Sequence, residues 1–418
     1  MPLEQTPVGE GRPQALSHIR VLDLSRILAG PWCSQNLADM GAEVIKVERP
    51  GTGDDTRAWG PPWIRDASGA DTRNSTYYAA ANRGKKSITV DIASPQGQAL
   101  VRQLAAKCDV VIENYKVGDL KRYGLDYECL RELNPRLVYC SITGYGQDGP
   151  CAHKPGYDFV FQAKGGLMSI TGEQDELPGG GPQKAGIAIA DVITGMYSTI
   201  AILSALQYRT VSGHGQYIDM ALLDCIVALG GNQVTGFFAN DRVPHRYGNS
   251  HASLVPYQVF AVSDGEMVVA VGNDTQWQQY CAAIERSDLA GDSRWRYVTG
   301  RITGRNELVP ELARTMLTRS KAEWIERLDA RGVPCGPIND YREVFEDPQV
   351  QHRALRVDMR QADGGTVSTI ASPLRLCDTP PSYDRPPPVL GDSTDAVLQE
   401  LLGCTRQEIA EYRANRVI

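Results

Sequence analysis

Nothing in this chain is arranged to hold a metal. Its ten cysteines, at positions 33, 108, 129, 140, 151, 225, 281, 335, 377 and 404, include no C-x-x-C pair, and no two of its six histidines lie three to five residues apart. Zinc and iron–sulfur sites draw their ligands from such close pairs, so no metal site is expected. The same scatter points to reduced thiols in a cytoplasmic protein rather than a disulfide framework. Basic charge is short too. The 43 Lys and Arg stand against 50 Asp and Glu, a formal net charge of −7, which argues against a nucleic-acid partner yet leaves room for a local basic pocket. Long apolar runs are missing. Met1–Arg12 lacks the basic start and apolar core of a signal peptide. The most apolar stretch, Thr194–Leu206, is interrupted by Ser198, Thr199 and Ser204 and falls short of the ~20 residues of a membrane span, so a buried helix is expected and no membrane partner. No G-x-S-x-G is present, which removes the nucleophile elbow of α/β-hydrolases.

Two glycine motifs invite a nucleotide reading and fail it. Gly144-Tyr145-Gly146-Gln147-Asp148-Gly149 follows a strand signal, but Pro150, Cys151 and Ala152 come next where a dinucleotide fold needs a helix to open. A tight turn is expected, and neither nicotinamide nor flavin. Gly84-Lys85-Lys86-Ser87 lacks the P-loop's first glycine and leads into a strand rather than a helix.

What is present is a globular composition, 42% hydrophobic and 22% charged over 418 residues, long enough for two cores. Residues 1–17 are polar and rich in Pro and Gly, and an irregular tail is expected there. Strand signals follow at Ile19–Leu24, Glu43–Val47, Ser87–Ile92, Asp109–Ile112 and Leu137–Ile142. Helical patterns lie between them, one capped by Ser94-Pro95 and running to about Cys108. This rhythm predicts parallel βαβ units in an α/β, Rossmann-like domain. Helical patterns at Tyr157–Ser169 and Asp191–Tyr208 flank a Gly/Pro-rich loop. The character then changes: Val255–Val262 and Glu266–Val271, joined at Ser263-Asp264-Gly265, read as a hairpin. Helices are expected at Thr275–Glu285, Leu308–Thr318 and Lys321–Arg331. This stretch, from about 230 to 335, reads as a smaller α+β domain, and a helical tail is expected from Thr394 to Asn415.

Nine blocks in order carry a family likeness: Val21-Leu22-Asp23-Leu24-Ser25 with Leu28-Ala29-Gly30-Pro31, Gly41 through Gly51, Asn82 through Ile88, Val111 through Tyr115, Gly144-Tyr145-Gly146, Gly156-Tyr157-Asp158, Ala190-Asp191 with Gly195, Pro334 through Ile338, and Leu390-Gly391. In these the chain resembles the class III CoA-transferases (formyl-CoA transferase-like, CaiB/BaiF) from about residue 18 onward. The resemblance implies coenzyme A or an acyl-CoA as substrate, a carboxylic acid as the second substrate, and a homodimer of interlocked rings in which 18–225 and the return segment 336–418 form the larger Rossmann-like domain and 226–335 the smaller one. By matched position it makes Asp191 the nucleophile, places Tyr157 in the catalytic block, and assigns Leu28, Arg49, Val90, Asp91, Asn114, Tyr115, Arg122 and Lys154 to CoA contacts. Arg49 and Arg122 suit phosphate groups chemically. Asp191 also opens a long apolar helix, where the dipole and free N–H groups are expected to hold a carboxylate ionised, as a nucleophile requires; the plainer alternative is a helix cap.

Related racemases of the same fold carry a histidine where this chain has Tyr157, a poor base with a reference pKa near ~10, so transfer is favoured over racemisation, for which His251 would be the substitute base. A non-catalytic CoA-binding homologue would have no need of Asp191. The blocks Thr56 through Pro62, Tyr139 through Gln147 and Val255-Pro256-Tyr257-Gln258 most resemble the branch that acts with succinyl-CoA on dicarboxylic acids such as glutarate or itaconate. A second carboxylate wants a cationic partner, and the loop Arg246–His251, with Asn249 and Ser250, is the expected acceptor-binding segment.

Overall fold

The computed structural model describes residues 14–418, so most of the expected tail over 1–17 lies outside the described residues. The chain divides into two compact units, the first comprising 14–167, 185–235 and 349–418, the second 168–184 and 236–348. The second unit thus gathers a segment from upstream of the long helix that a continuous 226–335 domain omits. Residues 168–184 hold to it by bonds such as Gly248 N–H to Gly172 O at 3.1 Å.

In the first unit, six strands pair in parallel: Arg20–Asp23, Glu43–Glu48, Lys85–Thr89, Val110–Glu113, Val138–Thr143 and Tyr217–Ala221. Counted along the chain, they lie side by side as third, second, first, fourth, fifth and sixth. That order reverses direction between the first and fourth strands, the crevice where doubly wound sheets bind ligands. Side chains alternate across the sheet. Val21, Val44, Val110, Ile112, Val138 and Cys140 pack with the helices Ala29–Asp39 and Ile189–Ser212, while Leu22, Ile45, Val111 and Tyr139 pack with Pro95–Ala105 and Thr394–Leu402 on the other face. Ser94 caps its helix as expected, accepting from Gly97 N–H at 3.0 Å, and the Gly144–Gly149 segment is an irregular turn.

Several features differ from the sequence expectation. The C-terminal tail is two helices, Thr394–Leu402 and Arg406–Ala414, because Gly403 adopts a left-handed φ of 69° and stops the first. The strand Tyr217–Ala221 and the hairpin Arg356–Arg360 with Thr366–Ile370 lie outside the expected strands; their runs of five residues are short, although Arg356–Arg360 alternates polar and apolar. The helix Ile189–Ser212 is long and apolar enough to cross a membrane by length and composition. Its Thr194, Gly195, Ser198, Thr199 and Ile202 are buried, and Thr194 and Thr199 return their hydroxyls to carbonyls one turn back.

The second unit is a three-stranded antiparallel sheet, Tyr257–Val262, Gly265–Ala270 and Cys335–Pro337, backed by helices Asp274–Ala283, Arg305–Met316 and Lys321–Asp329. Its core centres on Trp277, Tyr280, Trp324, Met267 and Leu312. The hairpin turns at Ser263-Asp264, with Gly265 at a φ of 143°.

Candidate active site

Asp191 is the third residue of the helix Ile189–Ser212, not its cap. The cap function falls to a different carboxylate. Asp158, at the start of helix Asp158–Lys164, accepts the Ala190 N–H at 2.7 Å through Oδ1 and the Gln162 amide at 2.7 Å through Oδ2. The expectation that the helix end keeps Asp191 ionised is therefore corrected: burial, aided by the negative charge of Asp158, pushes its carboxyl up to about 7. A strongly raised carboxyl beside a second one marks a site whose charges are uncompensated. Tyr77 belongs to the same corner, its phenol pushed up to about 12 by burial and by the charges of Asp191, Asp158 and Asp54; Trp59 meets its ring edge-on at 5.2 Å.

Gly195 sets the helix in place. A Cβ there would come within 2.7 Å of the Ala29 carbonyl and 3.0 Å of Trp32, so only glycine lets the Asp191 helix lie this close to the helix following Leu28. Tyr157, by contrast, is 66% exposed one residue ahead of Asp158. The block Gly156-Tyr157-Asp158 thus brings its aspartate, rather than its tyrosine, into the electrostatics of Asp191.

The residues matched to CoA contacts cluster at the C-terminal ends of the strands, and they divide by chemistry. Arg49 and Lys154 are exposed, and Arg122 is exposed while paired to Asp119 at 2.8 Å; each offers a cation to solvent. Asn114 is committed elsewhere. Its Oδ1 accepts from Arg26 N–H at 2.8 Å and its Nδ2 donates to Arg26 O at 2.6 Å, so it fixes the turn leading to Leu28. Leu28 and Val90 are buried. Asp91 closes a local turn onto Ala93 N–H at 3.0 Å and gives its own N–H to Val417 O at 2.7 Å. Tyr115 lies under the Arg26 guanidinium at 5.2 Å. It also lines a cavity of about 290 Å³ with Glu113, Lys116, Lys121, Tyr139 and Tyr217. Tyr139 packs on the opposite sheet face from the Asp191 helix.

Below these loops runs a buried ionic network that the sequence motifs hide. Lys46 bonds Asp54 at 2.9 Å and Ser25 O at 2.9 Å, and Lys85 reaches Asp23 at 3.2 Å, Asn82 Oδ1 at 2.8 Å and Pro31 O at 3.0 Å. Glu48 grips Arg57, which Tyr78 also accepts from at 2.6 Å. The Gly84-Lys85-Lys86 stretch is thus no phosphate loop; Lys85 is a buried strut between two loops.

In the second unit, the acceptor-loop expectation meets a specific obstacle at Arg246. Its guanidinium pairs with Asp175 and donates to Glu173 O at 3.0 Å and Ser169 O at 3.3 Å. Those bonds tie the loop to 168–184, and an incoming carboxylate would have to displace them. Asn249 is exposed and its carbonyl accepts Val259 N–H; Ser250 bridges Gln258. His251 accepts Ser253 N–H at 2.9 Å through Nδ1 and packs on Tyr257. Gly248, at a φ of 58°, leaves no space for a side chain beside Glu173.

The sequence profile of CoA-transferase family III matches residues 16–394. The chain belongs to that family. Among curated family members it is 48% identical over 390 residues to the succinate–glutarate CoA-transferase of Agrobacterium fabrum, covering 93% of this chain and 96% of the relative. It is 40% identical over 415 residues to the human succinyl-CoA:glutarate CoA-transferase, covering 98% and 92%, and 37% identical to the succinyl-CoA:mesaconate CoA-transferase of Haloarcula hispanica, covering 92% and 96%. A solved CaiB/BaiF family protein from Brucella suis superposes with a TM-score of 0.82 at 44% identity, covering 93% of this chain and all of the other. The family III chain is therefore a CoA-transferase whose substrates are CoA thioesters. Asp158, Tyr77 and the Lys46–Lys85 network escaped the sequence reading. The one signal for Asp158 was its place in the Gly156-Tyr157-Asp158 block; Tyr77 stood in no block.

Proposed function

We propose that this enzyme moves CoA from succinyl-CoA to a dicarboxylic acid such as glutarate, with Asp191 as the covalent carrier. The relatives' substrates support the pair of acids, and the observation that carries the role of Asp191 is its raised, uncompensated carboxyl at the Asp158 corner. An Asp191 Oδ attacks the thioester carbonyl, a C–O bond forms, and the C–S bond breaks to give a mixed anhydride and CoA thiolate. The thiolate attacks the aspartyl carbonyl and succinate leaves as carboxylate, giving an aspartyl-CoA thioester. The acceptor carboxylate attacks that thioester and releases the thiolate, which takes the new acyl group and returns Asp191 as carboxylate. No net proton is consumed. Desolvation makes the ionised Asp191 a better nucleophile and keeps water from the anhydride. Arg49, Arg122 and Lys154 are the cations for the CoA phosphates, and Asn114 orders the Leu28 turn from behind.

A racemase would need a histidine sharing this corner, whereas the group acting on Asp191 is Asp158. The ten free cysteines fit a reducing, cytoplasmic setting. Self-association as a homodimer is supported by the exposed Met196, Ile200, Tyr208 and Val211 of the Asp191 helix. Incubation with succinyl-CoA and glutarate, followed by mass spectrometry, tests the reading. Glutaryl-CoA should form, and hydroxylamine should trap a modification on Asp191. Glutaryl-CoA formed by the folded Asp191→Ala protein at an undiminished rate would refute the mechanism.

A further inference from the structure

The cavity of about 290 Å³ that Tyr115 lines has no part in the transfer chemistry described above. It lies wholly within the first unit. Glu113, Ser141 and Tyr217 reach it from three neighbouring strands, and the loop from Tyr115 to Lys121 and the start of helix Tyr127–Leu133 close it. Tyr139 and Tyr217, also in its wall, pack on the sheet face away from the Asp191 helix. Its size is near the lower end of small-molecule sites, ~300 Å³.

Several of its polar groups are committed. Glu113 holds the Ser141 hydroxyl and accepts the Tyr115 N–H at 2.8 Å, Gln147 donates to Ser141 Oγ at 3.2 Å, and Glu128 pairs with Arg131 at 3.4 Å. Three charges are not. Lys116 and Lys121 have no acidic partner among the described residues, whereas Arg122 beside them has Asp119. Asp126 stands at the N-cap of its helix, where an aspartate ordinarily accepts a backbone N–H. Here it makes no cap bond, and its Oδ1 is buried with no hydrogen-bond partner among the described residues. The carboxylate raises the pKa of the Cys129 thiol next to it, but a thiol is a weak donor. A buried acceptor without a strong donor is costly, and a ligand N–H would satisfy it. The remaining surface is aromatic: Tyr127, Tyr139 and Tyr217 pack at centroid distances of 5.4 to 6.0 Å, and Tyr127 and Tyr217 are only half-buried.

We propose that this cavity is an effector site for a small flat aromatic molecule bearing an amino group and an anionic group. The amino group donates to Asp126 Oδ1, the anion meets Lys116 or Lys121, and the ring lies against the tyrosines. Aromatic amino acids and aminopurine nucleotides share that chemistry. The occupant acts on CoA through a common loop, because the segment bearing Lys116 and Lys121 starts after Asn114 and Tyr115 and ends at Arg122. This coupling rests on the CoA contacts assigned to those residues above; the cavity itself does not.

The test is calorimetric titration of the full-length enzyme with L-tryptophan and with AMP, each in saturating free CoA so that the CoA contacts are filled. One compound should bind once per chain with a Kd of roughly 1 mM or tighter, and the arm that binds identifies the source. Asp126→Ala and the double variant Lys116→Ala/Lys121→Ala should each weaken that binding roughly 10- to 100-fold, the loss of a charge-assisted bond. Their unfolding midpoints should stay near that of the wild type. The Kd for free CoA should differ roughly 5-fold or more with and without the ligand. Binding by neither compound, or binding that both folded variants retain in full, would overturn the site. A CoA affinity unmoved by saturating ligand would overturn its effector role. Absence of CoA transfer in the wild type would refute the transferase assignment alone, since these titrations need no turnover.

Discussion

Asp23 and Asp191 both sit largely out of water in the first unit, and their surroundings drive them in opposite directions. Burial alone would raise the carboxyl of Asp23, but Lys85 and Lys46, with Ser25 and Ser34, outweigh it and hold the pKa below the usual value. Asp191 meets burial with a second aspartate beside it and, among the described residues, no cation offsetting it, and its pKa climbs to about 7. The first arrangement returns each charge its partner and makes a strut. The second leaves a charge to be settled by whatever binds. A buried acid whose partners are all internal reads as architecture, and one without them as chemistry.

Removing the carboxyl at each place should give opposite phenotypes. Asp191→Asn should lower transfer by on the order of 10³-fold or more, with an unfolding midpoint unchanged or raised, because a like-charge neighbour has been removed. Asp23→Asn should instead strand Lys85 in the interior and lower unfolding free energy by about 3–5 kcal/mol in denaturant titrations, while the protein that remains folded still transfers CoA. If Asp23→Asn left stability untouched, the division between strut and reactive group would fail.

The same contrast appears on titration. A carboxyl raised in the folded state favours folding in its protonated form, so its contribution worsens as pH rises from its unfolded value near ~4 and levels off above about 7. Asp23 runs the other way: its stabilising contribution is present above the unfolded value and is lost as pH falls through its lowered folded pKa. The stability difference between Asp191→Asn and wild type should therefore widen between about pH 4 and 7, measured by denaturant unfolding at each pH. Over the same interval the wild-type rate should increase as the nucleophile ionises. A rate that stays flat across it would detach the raised carboxyl from the chemistry.

Smaller effects probe the support. Gly195→Ala should cost about 1–3 kcal/mol, because its methyl meets the Ala29 carbonyl, and should reduce kcat through displacement of the Asp191 helix. Arg122→Ala should change stability by less than about 1 kcal/mol, since its pair with Asp119 is on the surface. Its effect should appear as a higher KM for acyl-CoA at unchanged kcat.

Much of the architecture was legible because parallel strands and amphipathic helices imprint their periods. Val21, Val44 and Val110 mark strands, and Ser94-Pro95 marks a helix start. Asp191 was legible as a residue but not as a charge state. Its helix begins two residues earlier, and the carboxylate that caps it lies 33 positions upstream at 158, a contact no local window contains. The surroundings of Arg246 were hidden for the same reason. Its type and loop placement suit a carboxylate ligand, but Asp175, which satisfies it, stands 71 residues away. Lys46 stands inside a strand signal and Lys85 in a glycine motif at a strand start, and alternation tells which face a residue takes and not whether an acid waits there.

The protonation of Asp191 also gives this enzyme an intrinsic optical label. A protonated carboxyl absorbs in the infrared at a carbonyl stretch that ionised carboxylates lack, and few side chains carry one in neutral water. Burial raises Asp191 to about 7 and Glu113 to about 8, so slightly below neutral pH both should carry one. Glu113 holds the Ser141 hydroxyl and the Tyr115 N–H inside the sheet, so its band should persist through turnover as an internal reference. The Asp191 band should vanish as the carboxyl ionises and attacks, and return once the released carboxylate takes back a proton from water, letting a difference spectrum follow the reaction with no probe attached.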